Sequence, residues 1–229
     1  MTAPALPAGR VTIASATLMT AVSGYVDAFL YLRHHTFGFA QTGNVIFLAV
    51  AVVEGTNWTR FVWPLLAYIA GLIVAQLPRV RAGGLTNRIM TAALVGQLLV
   101  FIALAGLPRN APTALFVVPL SFIGGIRLEL FRSTTGISFV SIATTGNLMR
   151  LIEAATDFAV GHSSAGLRSA GFALLVVLGF LAGGLCGAAA SKHFGSALWG
   201  AVILEAVSLA VFLLRSRRPT APTTVEPVA

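Results

Sequence analysis

The chain has 229 residues, of which 57% are hydrophobic and only 10% charged, against roughly a quarter charged in a soluble domain. That composition excludes an ordinary soluble fold. The net charge of +8 does not imply nucleic acid, because the arginines stand at the ends of apolar blocks, where they anchor membrane helices, and no basic run is interleaved with aromatics.

Residues 1–9 are rich in Pro and Ala and are expected to form a disordered tail. The first apolar segment, Val11–Leu32, is longer than the apolar core of a cleaved signal and is read as a helix. It carries Ser-Gly-Tyr-Val-Asp at 23–27. A carboxylate here, Asp27, either takes up a proton or cation or pairs with Arg33 at the membrane interface. The second segment, Phe37–Val53, contains Thr42-Gly43-Asn44. The third, Phe61–Leu77, places Ala67, Gly71 and Ala75 four apart on one helix face, a small-residue surface that lets another helix approach closely.

The fourth segment is Arg88–Leu107 and the fifth Pro112–Ile126. Arg127, Glu129 and Arg132 follow and are read as a border cluster in which Glu129 and Arg132 form an i,i+3 ion pair. The sixth, Ile137–Ala155, contains a second copy of the motif, Thr145-Gly146-Asn147. The seventh, Leu167–Ala190, places Gly179, Gly183 and Gly187 four apart. The eighth, Ser196–Leu214, has Glu205 at its middle, where a carboxylate is protonated, paired or facing a wet cavity. Residues 216–229 are expected to be a second disordered tail.

The two Thr-Gly-Asn motifs lie 103 residues apart and the two small-residue stripes 112 apart (183 − 71), with Gln97 opposite Glu205 at 108. Matching elements in the same order imply a duplication, with repeats over 10–107 and 108–215. Charge then sets topology. If all eight segments cross, the fifteen basic residues divide eight against seven. If each Thr-Gly-Asn segment instead leaves on the side it entered, Arg33, Arg60, Arg109 and Lys192 lie on one face, and the other eleven lie opposite. The expected fold is therefore an all-α polytopic membrane protein. It is an inverted 3+3 repeat with two re-entrant or broken helical segments carrying Thr-Gly-Asn, and both termini are cytoplasmic.

Ser-Gly-Tyr-Val-Asp followed by "FAQTGNVIFLAVAV", then "TGNLMRLIEA", resembles the YoaK-like family of bacterial multi-pass membrane proteins, a domain-of-unknown-function family. The resemblance covers roughly residues 12 to 214. It implies a bacterial inner-membrane location and no established activity. Where related chains tend to carry a Gln-Asn pair after a glycine, this one reads "GGIRLELFR".

Paired broken helices from inverted repeats can build a midplane solute site, with helix N-termini aimed at the solute. The candidate solute-binding residues are Thr42, Gly43, Asn44, Thr145, Gly146, Asn147, Asp27 and Glu205. The leading reading is a small-solute transporter or channel. The alternative is a membrane interaction protein whose Thr and Asn cap helices and whose glycines pack them. Enzyme chemistry is not expected. Gly161-His162-Ser163-Ser164 is followed by Ala165 where a nucleophile elbow needs glycine, and His34 and His35 are adjacent rather than i,i+4. No cofactor or metal is expected. The expected partners are the bilayer and a small solute, with a homo-oligomer left open.

Overall fold

The computed structural model describes residues 11–81, 86–131, 133–134, 137–138, 144–162 and 164–216. They form helices α1 (Ile13–His34), α2 (Gln41–Val53), α3 (Thr59–Arg81), α4 (Asn87–Ala105), α5 (Thr113–Leu130), α6 (Thr144–Gly161), α7 (Ser164–His193) and α8 (Leu198–Ser216). Two-residue strands, β1 (Ser133–Thr134) and β2 (Ile137–Ser138), pair antiparallel between α5 and α6. Of the tails expected at 1–9 and 216–229, Ser216 closes α8 instead, and the remainder lies outside the described residues.

All helices but α2 and α6 are long and apolar enough to cross a membrane. Helix α2 has 13 residues and spans about 20 Å, short of the roughly 30 Å hydrocarbon core. Helix α6 has 18 residues but carries Arg150, Glu153 and Asp157. It also begins later than the expected Ile137, because Ile137 and Ser138 pair with β1 instead. The Ser and Thr side chains clustered there offer the backbone local partners that compete with a helix.

Two buried clusters fix the direction of each long helix. One joins Met19 near the start of α1, Leu94 in α4 and Val176 in α7 with Leu130 and Phe212 at the ends of α5 and α8. The other joins Leu30 late in α1 and Leu104 late in α4 with Phe116 and Leu198, where α5 and α8 begin. Helices α1, α4 and α7 therefore run one way and α3, α5 and α8 the other. The short α2 returns to the end it leaves, because Arg60 at the start of α3 donates to the His34 carbonyl at the end of α1 (2.6 Å).

The helix seams repeat between the halves. Helix α1 packs on α7 and α5 on α3. A methyl group on Gly24 would strike the Phe180 carbonyl and the Gly184 nitrogen, and one on Gly125 the Tyr68 carbonyl and the Leu72 nitrogen. Gly183 presses on Ala21 as Gly71 presses on Phe122. The shift is 101 residues on one side of each seam (125 − 24, 122 − 21) and 112 on the other (180 − 68, 183 − 71). Glycine is required at these four points because backbone meets backbone.

Arg127 overturns the expected border cluster. Helix α5 continues past Ile126 to Leu130, which carries Arg127 into the bundle. There its side chain is fully buried and its Nη1 donates to Glu205 Oε2 of α8 (3.1 Å), while Nη2 donates to the Met19 carbonyl of α1 (2.8 Å). The carboxylate at the middle of α8 and the guanidinium in the last turn of α5 thus compensate one another's burial. Arg132, the expected partner of Glu129, lies outside the described residues.

Candidate functional site

Helices α2 and α6 begin at one cavity. Its volume is about 610 Å³, and its walls include Asp27 of α1, Gln41 and Thr42 of α2, Tyr68 of α3, and Thr144 and Thr145 of α6. Each half supplies the first residues of its short helix, and at the start of α2 the N–H groups of Gln41 and Gly43 are taken by the Phe39 and Ala40 carbonyls, which leaves that of Thr42 at the cavity. Among the described residues the hydroxyls of Thr42 and Thr145 have no hydrogen-bond partner.

The two short helices are set in the same way. The sequence of buried, half-buried and exposed positions over residues 41–54 is repeated without a change over 144–157. In each, the motif threonine is exposed, the asparagine is buried, and an alanine seven positions on, Ala51 or Ala154, is buried as well.

Asp27 forms the floor of the first half's loop. Its Oδ1 accepts from the backbone N–H groups of Gly38 (3.0 Å) and Phe39 (2.8 Å), and its Oδ2 from that of Ala40 (3.0 Å). The expected pairing of Asp27 with Arg33 does not form: both Asp27 oxygens are taken by these loop N–H groups, and Arg33 reaches the other way, its Nη2 donating to the carbonyls of Ser191 (2.7 Å) and Phe194 (3.0 Å). Three N–H donors on one carboxylate hold the chain in the geometry that opens α2.

Asn44 was expected to face the cavity, and the structure turns it away. Its Oδ1 accepts from the Thr36 hydroxyl and the Phe37 N–H, both at 2.9 Å. Its Nδ2 donates to the Phe37 carbonyl (2.7 Å) and to Gln41 Oε1 (2.8 Å). An asparagine amide offers two acceptor sites and two donors, and all four are used. Asn147 is likewise buried and absent from the cavity wall. Gly43 lies against the Phe37 ring, where a methyl group would clash. Neither Gly43 nor Gly146 lines the cavity.

Glu205 is also placed elsewhere, paired with Arg127 between α5 and α8. Of the eight candidates, the cavity gathers Asp27, Thr42 and Thr145. Gln41 and Thr144 were missed, although they occupy the same position one residue before each motif. Tyr68 and Phe180 were missed too. They stand 112 apart, the offset of the glycine stripes, and both line the cavity.

No curated protein and no solved structure matches the chain. The family model described as protein of unknown function (DUF1275) matches residues 15–211, and the chain therefore belongs to that family, within which its YoaK-like motifs also fall.

Proposed function

We propose that the chain is a small-solute transporter or channel of the bacterial inner membrane, built as an inverted repeat with both termini cytoplasmic. The solute site is the cavity where α2 and α6 begin. The observation that carries this reading is the convergence of Asp27, Thr42 and Thr145 from both halves on one cavity. The opposed directions of α1 and α5, α3 and α7, and α4 and α8 support the inverted arrangement, and such repeats place solute sites at their interface. In this reading Thr42, Thr145 and the helix starts meet the solute. Asp27 and Asn44 position the loop, and Gly43 and Gly146 admit close packing. The bilayer is the surrounding partner.

The test is solute flux. Protein reconstituted in liposomes should carry at least one member of a panel of small polar solutes and ions, followed by light scattering or a trapped dye. The double variant Thr42→Val, Thr145→Val should lose that flux while staying folded. Liposomes no more permeable than empty ones to any of the panel would count against transport.

A second reading is a membrane interaction protein in which Thr-Gly-Asn is a folding device and which self-associates or binds a partner. The saturated amide of Asn44 favours it, since that side chain has nothing left to offer a solute.

A further inference from the structure

A second concavity lies at the end of the bundle where α1 and α4 finish and α5 and α8 begin. Its volume is about 160 Å³, and it shares no wall residue with the central cavity. Arg33, His34 and Arg109 line it together with Ser196, Ala197 and Leu198 at the start of α8. Among the described residues no Asp or Glu lines it. Arg33 uses one nitrogen, Nη2, on the end of α7, which leaves the rest of its guanidinium uncommitted. Arg109 makes no hydrogen bond or ion pair among the described residues and stands beside Gly195.

Two guanidinium groups and a helix start therefore converge with nothing of opposite sign between them. Like charges gathered at a concave surface attract an anion and are stabilised by it. The planar guanidinium fork matches the oxygens of a phosphate group. In the first turn of α8 the N–H groups of Trp199 and Gly200 are taken by the Ser196 and Ala197 carbonyls, which leaves that of Leu198 as the further donor. The remaining wall is apolar, formed by Phe29, Leu104, Leu107 and Phe116. Phe194 and Trp199 are exposed next to it, as aromatic side chains are at the headgroup level of a bilayer.

We propose that this concavity binds a phosphate group between Arg33, Arg109 and the first turn of α8, presented either by an anionic lipid headgroup or as free phosphate. The site is independent of the solute cavity and stands whether or not the protein transports.

The experiment uses full-length protein stripped of lipid in a neutral detergent. Thermal unfolding is followed while phosphatidylglycerol, diacylglycerol or inorganic phosphate is added at constant ionic strength. Phosphatidylglycerol should raise the midpoint and diacylglycerol should not. In Arg109→Gln the apparent affinity should fall at least about tenfold, the loss of one charge-assisted hydrogen bond. A response to inorganic phosphate with the same Arg109 dependence assigns the site to free phosphate, and a response to phosphatidylglycerol alone assigns it to lipid. Equal affinity in wild type and Arg109→Gln, or no response to either phosphate probe, overturns the proposal. Should Arg109→Gln fail to fold, the wild type decides: equal stabilisation by diacylglycerol and phosphatidylglycerol overturns it.

Discussion

Replacing Glu205 with leucine should destabilise the bundle severely, and replacing Arg127 with methionine at the same time should restore it. Both side chains are fully buried and joined at 3.1 Å. In Glu205→Leu the Arg127 guanidinium keeps only the Met19 carbonyl as a partner, so a buried charge is left uncompensated. Removing one member of such a pair costs about 3–5 kcal/mol, and insertion scales for a single mid-span charge give about 2.5–3.5 kcal/mol. The two agree on a loss near 3 kcal/mol or more. At about 2–4 °C per kcal/mol for a chain of this length, the midpoint falls by about 6–20 °C. The double variant removes both charges and fills the space with carbon. Arg127 Nε, Glu205 Oε1 and Ser208 Oγ have no partner among the described residues, so the pair is incompletely satisfied. An apolar replacement should therefore be neutral or stabilising by about 1–4 kcal/mol. Thermal unfolding of purified protein in detergent reads all three variants. A Glu205→Leu protein as stable as wild type, or a double variant no better than the single, would refute the assignment of this pair to the bundle interior.

Other outcomes follow from the packing and the loop. Gly183→Leu should abolish folding or lower the midpoint by about 6 °C or more, on the order of 3 kcal/mol or above, because Gly183 lies on the Ala21 backbone; unchanged melting would mean this stripe faces lipid. Asn44→Ala removes four hydrogen bonds from the α1–α2 loop and should cost about 2–4 kcal/mol, whereas retained stability with selective loss of solute flux would make Asn44 a solute ligand instead. Single cysteines at the exposed positions 57 and 164, in a Cys186→Ser background, should label from opposite membrane faces. Labelling of both from one face would contradict the inverted topology.

Much of the architecture was legible in the residues. Apolar length marked eight segments, the division of the fifteen basic residues set two of them apart from the six spans, and Arg60 and Arg33 on the sparsely charged face marked α2 as a segment that returns. The seams were legible because small residues four apart have few other uses in a membrane helix. What failed did so for a common reason. Mid-span position shows that Glu205 needs a partner but does not name Arg127, 78 residues away in the chain. Asn44 carries the same amide whether it binds a solute or the Phe37 backbone, and only the loop conformation decides. The start of α6 was misplaced because Ile137 reads as apolar while its Ser and Thr neighbours favour local pairing. The repeat itself held more than was drawn from it. Extending each motif back by one residue reaches Gln41 and Thr144, both on the cavity wall.

The most direct measurement concerns the cavity itself. In a Cys186→Ser background, Thr42→Cys and Thr145→Cys would be introduced singly and together into protein reconstituted in liposomes. If the two motifs share one water-accessible cavity, a small hydrophilic thiol reagent modifies each single variant. A short bismaleimide then links the pair within one chain, seen by mass spectrometry, and closes the solute path. If neither cysteine reacts, or both react but are never linked, Thr42 and Thr145 do not meet at a common cavity, and the solute site proposed there does not exist.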